Sequence, residues 1–484
     1  MRTQLIAAMM IVCSALGAQT TVSDAVKAVV KVNGPVVVLQ HVRVIDGTGA
    51  APTEDQTLIL ESGRIRAVGS SAGTPPLAGA TVLDLAGYTV IPGLVGMHDH
   101  MFYPSPGSQP LYTELAYSAP RLYLAACVTS LRTAGSIETY TDLAVKKLID
   151  SGAIPGPKID VTGPYLEGAG AYTLNMHELT GPDDARKTVE YWADEGATSF
   201  KAFMHITRAE LSAVIESAHQ RGTKVTGHLR SIGFREAAAL GIDDLEHGLL
   251  VDTEFDPGKV PDVCPPDDQT EKTLTGLDLE SHPVQEMIRD LVAHRVAVTS
   301  TLPVFETFVG VRPPLDLRVL TALAPDSRSD YLIMRARLSG FDGAPSPHAV
   351  LLKKEMQFER DFAKAGGLLL AGEDPTGYGG VLPGFGDQRE VELLVEAGFT
   401  PVEAIQIATA NGARFLGEFE HIGTIAPGKS ADLAVIHGNP AKDIADIKKV
   451  EIVFKDGVGY DSAKLIESVR RQVGLHQPRK RQIG

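Results

Sequence analysis

Eight short apolar segments recur through the middle of this chain, each separated from the next by residues with helical spacing, and this alternation constrains the fold more than any other feature. The expected strands are Leu94–Met97, Val128–Arg132, Lys158–Val161, Thr198–Phe203, Lys224–Gly227, Asp243–Glu246, Ala297–Thr301 and Leu368–Ala371. Between them lie explicit helix signals. Thr207-Arg-Ala-Glu210 is a capping box, and Gly222 ends the helix that it opens. Pro182-Asp-Asp-Ala185 opens another helix, with acids in its first turn, and Thr400-Pro-Val-Glu403 opens the one that carries Asn411–Leu416. Strands that alternate with helices eight times predict an α/β chain folded as a (β/α)8 TIM barrel.

Both flanks of that middle are β-rich. Val36–Leu39 and Val42–Ile45 read as strand, Thr57–Val68 as a hairpin turning at Gly63, and Thr81–Leu85 as a further strand. Asp432–Ile436 and Val450–Phe454 repeat the pattern near the other end. A small β-sandwich domain built from both chain ends is therefore expected, its parts spanning 35–90 and 421–461 around a barrel over 91–420. Asp252–Thr275, acidic and Pro-rich, is expected to be a loop insertion at the barrel mouth. Residues 18–34 read as a linker or frayed start, and 462–484 as a solvated basic tail.

The first 18 residues resemble a secretory signal. Arg2 precedes the short apolar run Leu5–Val12, and small residues follow at Ala15, Gly17 and Ala18. The run is too short to span a bilayer, so an exported, periplasmic or secreted protein is expected, with no membrane span after removal. Cys13 would suit a lipoprotein, but the bulky Val12 before it does not. Only Cys127 and Cys264 then remain, which gives neither a disulfide framework nor a cysteine metal site. A net charge of −15 argues against a nucleic-acid partner and leaves a small molecule as the expected one, with a homo-oligomer left open.

Chemistry gathers where the expected strands end, which is the active face of such barrels. His98 and His100 end the first strand two residues apart, so both imidazoles can aim at one point. Lys201 ends the fourth strand, His228 the fifth and His247 the sixth, while Asp374 follows the eighth. Each alone has an ordinary explanation: a satisfied histidine, a lysine reaching for water, a turn aspartate before proline. Six such residues on five strand ends point to a metal site.

In combination these residues resemble the metal-dependent amidohydrolase superfamily. The likeness covers the Pro-Gly run into His98-Asp-His100, Lys201, His228, Glu246-His247-Gly248 and Asp374. Val44–Thr48 and Gly423–Leu433 resemble its links to the β domain. The ends are most similar to prolidase-like and imidazolonepropionase-like members, and Ser199–Met204 to hydantoinases. The resemblance implies two divalent metal ions, zinc by donor type, with manganese or cobalt able to substitute. It also implies a carbamate formed from carbon dioxide on Lys201 that bridges them. One ion would take His98, His100, Lys201 and Asp374, and the other Lys201, His228 and His247. A metal-bridging hydroxide would cleave a C–N amide bond, with Asp374 carrying its proton to the leaving amine. Glu373 departs from the pattern, since relatives more often have Thr or Ser there, and strand alternation should turn it off the barrel axis.

The expected substrate is a small amide with a free carboxylate, a dipeptide or an N-acyl amino acid. Arg230 would grip the carboxylate, and Tyr165, Tyr172 or His177 in the loop after strand three would meet the oxyanion. The alternatives are a cyclic-amide hydrolase, a lactonase, a deaminase (against which Lys201 argues) and a non-catalytic relative that has lost its metals.

Overall fold

The computed structural model describes residues 23–105, 111–171, 173, 175–339 and 347–475; the expected signal at 1–18 lies outside them. Eight parallel strands form the barrel: β1 (Leu94–Asp99), β2 (Val128–Thr133), β3 (Thr162–Glu167, preceded by Lys158–Asp160), β4 (Ser199–Ala202), β5 (Lys224–Gly227), β6 (Asp244–Glu246), β7 (Ala297–Ser300) and β8 (Leu369–Ala371). Neighbours pair in sequence order from β1 to β8. The β2–β3 step is carried by Lys158–Asp160 and by a Ser136–Pro164 bridge. The ring closes where Glu373 N and Asp374 N donate to His98 O at 3.3 and 3.0 Å.

The barrel interior is polar where most such barrels are filled with branched aliphatic residues. Arg132 on β2 reaches across it, donating to Thr226 Oγ1 on β5 at 3.1 Å and to Glu246 Oε1 on β6 at 2.8 Å. Both ions are fully buried. Their apolar strand neighbours, Leu131 and Leu245, point the other way into the main hydrophobic core beneath the outer helices.

The β domain draws on both flanks, as one nine-stranded sheet. Its core gathers Val37, Leu39, Leu58, Leu60, Val90, Leu433, Val435 and Phe454. The strands run as one continuous ladder that serves both layers of the expected sandwich. The reason is the nine-residue strand Val36–Val44. Its first half pairs with Thr81–Asp84 and its end with Tyr88–Pro92. A register shift between Leu39 and Val42, with His41 at φ 59°, lets it turn from one layer into the other. Gly93 then connects sheet to barrel, in a contact so close that a Cβ there would lie 2.0 Å from Thr129 Oγ1.

Three segments differ from the sequence reading. Within the expected loop insertion, Asp267–Gly276 is a helix with Asp267 and Asp268 in its first turn, which favours the amino end. At the start, Val30–Val32 pairs with Val458–Asp461 and so extends the sheet. At the end, helix Ser462–Ser468 and the residues after it are docked on the barrel, where Ser462 Oγ donates to Ala125 O at 2.7 Å. Leu465, Val469 and Val473 recur every four residues and are fully buried, and Arg471 N donates to Thr321 O. The basic residues had masked that apolar row. Among the described residues no helix is long and apolar enough to cross a membrane.

Candidate metal centre

The six residues singled out at the strand ends line one cavity of about 450 Å3 at the carboxyl end of the barrel. His98, His247 and Asp374 form its tightest group, with one donor atom from each within 4.8 Å of the others. Asp374 Oδ2 is 3.8 Å from His98 Nε2 and 3.7 Å from His247 Nε2, and Oδ1 is 3.7 Å from His100 Nε2. Lys201 Nζ is 3.3 Å from His98 Nε2. His228 joins through its ring, centred 4.4 Å from that of His247. His247 and Asp374 both have left-handed backbone, at φ 71° and 47°. Non-glycine residues rarely adopt it, and such strain collects at functional sites.

The imidazoles are oriented from behind. His100 Nδ1 is 3.2 Å from Gly135 O, and His247 Nδ1 is 2.8 Å from Thr301 Oγ1. Burial, reinforced by Lys201, holds His98 and His100 well below the usual histidine range and brings His247 to about 3. All three are therefore neutral and keep a lone pair at neutral pH. Burial also lowers Lys201, against the pull of Glu246 and Asp374. It raises Asp374 to about 6, although Lys201 opposes it. Burial alone would raise Glu246, but Lys201 and Arg132 overcome it and bring Glu246 to about 2.

This donor set fits divalent ions. Four imidazoles and a carboxylate converge in one buried cavity, and Asp374 Oδ1 has no hydrogen-bond partner although fully enclosed. An unpartnered buried carboxylate oxygen among neutral imidazoles is costly unless a cation or proton meets it. Glu373 lies off the axis, as alternation required. It is buried beside Asp99 and Asp387 and accepts from Tyr123 Oη at 2.9 Å.

The expected substrate residues divide. Tyr165 lines the cavity, with its hydroxyl 3.4 Å from His100 Nε2. His177 does not: it is exposed and pairs with Asp184 at 3.1 Å, turned away by that acid at the start of the next helix. Tyr172 lies outside the described residues. Arg230 lines an adjoining recess of about 300 Å3 with Met204, Leu250, Phe305 and Phe308, and is paired with Asp267. Its acid is thus Asp267, on the unforeseen helix. Sequence reasoning missed Arg132 as part of the site. Its only signal was a charge in a strand whose neighbours are all apolar or small.

Three comparisons bear on this geometry. The profile of the amidohydrolase family matches residues 326–458, a stretch that contains Asp374 and the return to the β domain. A D-hydantoinase of Streptomyces coelicolor is 24% identical over 409 residues, 78% of this chain and 81% of its own length. A Bifidobacterium longum structure assigned as a prolidase superposes with a TM-score of 0.63 at 25% identity, covering 91% of this chain and 99% of that one. A Xaa-Pro dipeptidase with bound methionine shares the fold at TM-score 0.66 and 20% identity, covering 88% and 100%.

Proposed function

The chain belongs to the amidohydrolase superfamily, and on that premise we propose that it is a binuclear metal-dependent hydrolase that cleaves a C–N bond of a dipeptide or an N-acyl amino acid. The observation that carries this reading is Lys201. A lysine almost wholly removed from solvent sits 3.3 Å from a histidine and lines the same cavity as three others and Asp374. An ammonium there would repel two dications, whereas a carbamate on the same nitrogen supplies two anionic oxygens. His98, His100, Lys201 and Asp374 would hold one ion, and Lys201, His228 and His247 the other. When bound, two such ions lower the pKa of water and polarise a carbonyl. Asp374, at the centre of the histidines, takes the proton of the attacking water and delivers it to the leaving nitrogen. Tyr165, with its hydroxyl beside His100, donates to the carbonyl oxygen as charge develops there.

The test is to load the chain with zinc and bicarbonate and assay dipeptides, N-acyl amino acids, hydantoins and lactones side by side. Hydrolysis of the linear amides with two ions per chain is the expected result. Full activity with one ion overturns the binuclear reading. Faster turnover of hydantoins would establish the second reading, a cyclic-amide hydrolase, which the similarity to D-hydantoinase favours.

The substrate carboxylate is assigned to Arg230. Its present partner, Asp267, is exposed on the cavity rim, so an incoming carboxylate can take its place without burying a new charge. Arg230→Met should erase about 10- to 100-fold of preference for a free over an amidated C-terminus, the worth of a charged hydrogen bond. An unchanged preference would move the anchor elsewhere. We also propose that the mature chain begins near Gln19 outside the cytoplasm. Amino-terminal sequencing of exported protein checks this, and an intact Met1 would refute it.

A further inference from the structure

The proposed ligands rest on a buried polar array at the floor of the cavity, and we infer that Glu246 is a positioning residue that fixes which nitrogen of His98 faces the metal site. The inference rests on the metal reading above.

Glu246 is held by one oxygen. Its Oε1 accepts from Arg132 at 2.8 Å and from Thr226 Oγ1 at 2.7 Å. Arg132 is itself tied to Met97 O at 3.0 Å and to Thr226 Oγ1 at 3.1 Å. The carboxylate therefore cannot turn, and its other oxygen, Oε2, points at the site. There it meets Lys201 Nζ at 2.6 Å and His98 Nδ1 at 3.5 Å. His98 Nδ1 is fully enclosed and has no hydrogen-bond partner. Across the ring, His98 Nε2 faces Lys201 Nζ at 3.3 Å and Asp374 Oδ2 at 3.8 Å.

These contacts leave one consistent arrangement of protons. The Glu246 carboxylate can only accept, so the His98 nitrogen that faces it, Nδ1, is the one that donates. A neutral imidazole has one proton, which then lies on Nδ1 and points at Glu246 Oε2. Nε2 is left with its lone pair towards the cavity, which is the form a metal needs. Arg132 and Thr226 thus act at a distance: by fixing Glu246 they fix the tautomer of the first histidine of the site.

Glutamine at position 246 should invert that tautomer. Arg132 and Thr226 both present donors, so the amide oxygen must face them. The amide NH2 is then aimed at His98 Nδ1 and forces the proton onto Nε2, against the ion. Alanine removes the acceptor but opposes neither tautomer. Glu246→Gln should therefore bind zinc less tightly than Glu246→Ala, and about 10- to 100-fold less tightly than the parent chain. A purely structural Glu246 predicts the opposite order, because alanine leaves both a cavity and an unpaired Arg132 whereas glutamine leaves neither void nor unmet donor.

The experiment is zinc competition titration of the full chain and both variants. It is joined to 15N spectroscopy of histidine-labelled protein before zinc is added, with His98 assigned by loss of its signal in His98→Asn. A protonated Nδ1 in the parent and a protonated Nε2 in Glu246→Gln support the inference. A protonated Nε2 in the parent, or equal zinc affinity for parent and Glu246→Gln, overturns it. The nitrogen shifts decide even if Glu246→Ala does not fold. A parent chain that takes up no zinc overturns the metal reading and this inference with it, whereas a zinc-binding parent matched by Glu246→Gln overturns this inference alone.

Discussion

Lys201→Ala should strip metal and activity together. Removing a residue that merely orients a ligand costs 10- to 100-fold in metal affinity or activity. Lys201 is assigned to both ions, so the loss should exceed about 100-fold, with metal content falling from two ions per chain to fewer than one. The variant is a fair test because the fold has reason to survive it. Lys201 leaves behind a carboxylate, Glu246, that Arg132 still neutralises at 2.8 Å, so no buried charge is stranded. Elemental analysis after loading with zinc and bicarbonate, beside a circular dichroism spectrum, reads the result. A folded Lys201→Ala chain that keeps two ions, or full turnover, sinks the carbamate assignment.

Asp374→Asn should be nearly as severe but should separate turnover from binding. The substitution keeps the side-chain shape, and asparagine tolerates the left-handed backbone of this position as well as aspartate does. What it removes is the ability to carry a proton. Turnover should fall about 100- to 10,000-fold with KM changed little. Metal analysis must accompany the kinetics. Loss of turnover with both ions retained assigns the proton to Asp374. Loss of an ion makes its main role that of a ligand, and unchanged turnover sends the proton elsewhere.

What could be read in the sequence follows from how local its cause was. The barrel strands were legible because each is a short apolar run between turn and cap signals, and each expected strand overlaps an observed one. His98 and His100 were legible as a pair because strand pleating needs only two residues to place them. Arg132 was not. Its partners, Thr226 and Glu246, lie on strands across the barrel, and nothing near Arg132 in sequence records them. The pairing of Arg230 was invisible for the same reason, since Asp267 belongs to a helix hidden in an acidic, Pro-rich stretch. The docked end was misread because Arg470 and Arg471 drew attention from Leu465, Val469 and Val473, whose four-residue spacing was there to be counted.

The nine-stranded sheet also sets a timetable for the newborn chain. Tyr88–Pro92 lies between Val36–Val44 and Leu433–His437, and its second partner is encoded near the other end. At about 5–20 residues per second, a ribosome needs roughly 20–70 s to pass from the one to the other. For that interval the amino-terminal half of the sheet exists with an apolar edge and nothing to cover it, a template for mispairing with other nascent copies. His98 and Asp374 are separated by most of the same delay, and they meet at the seam that closes the barrel. Even a clipped chain that keeps every proposed ligand but ends before Leu433 leaves that edge bare.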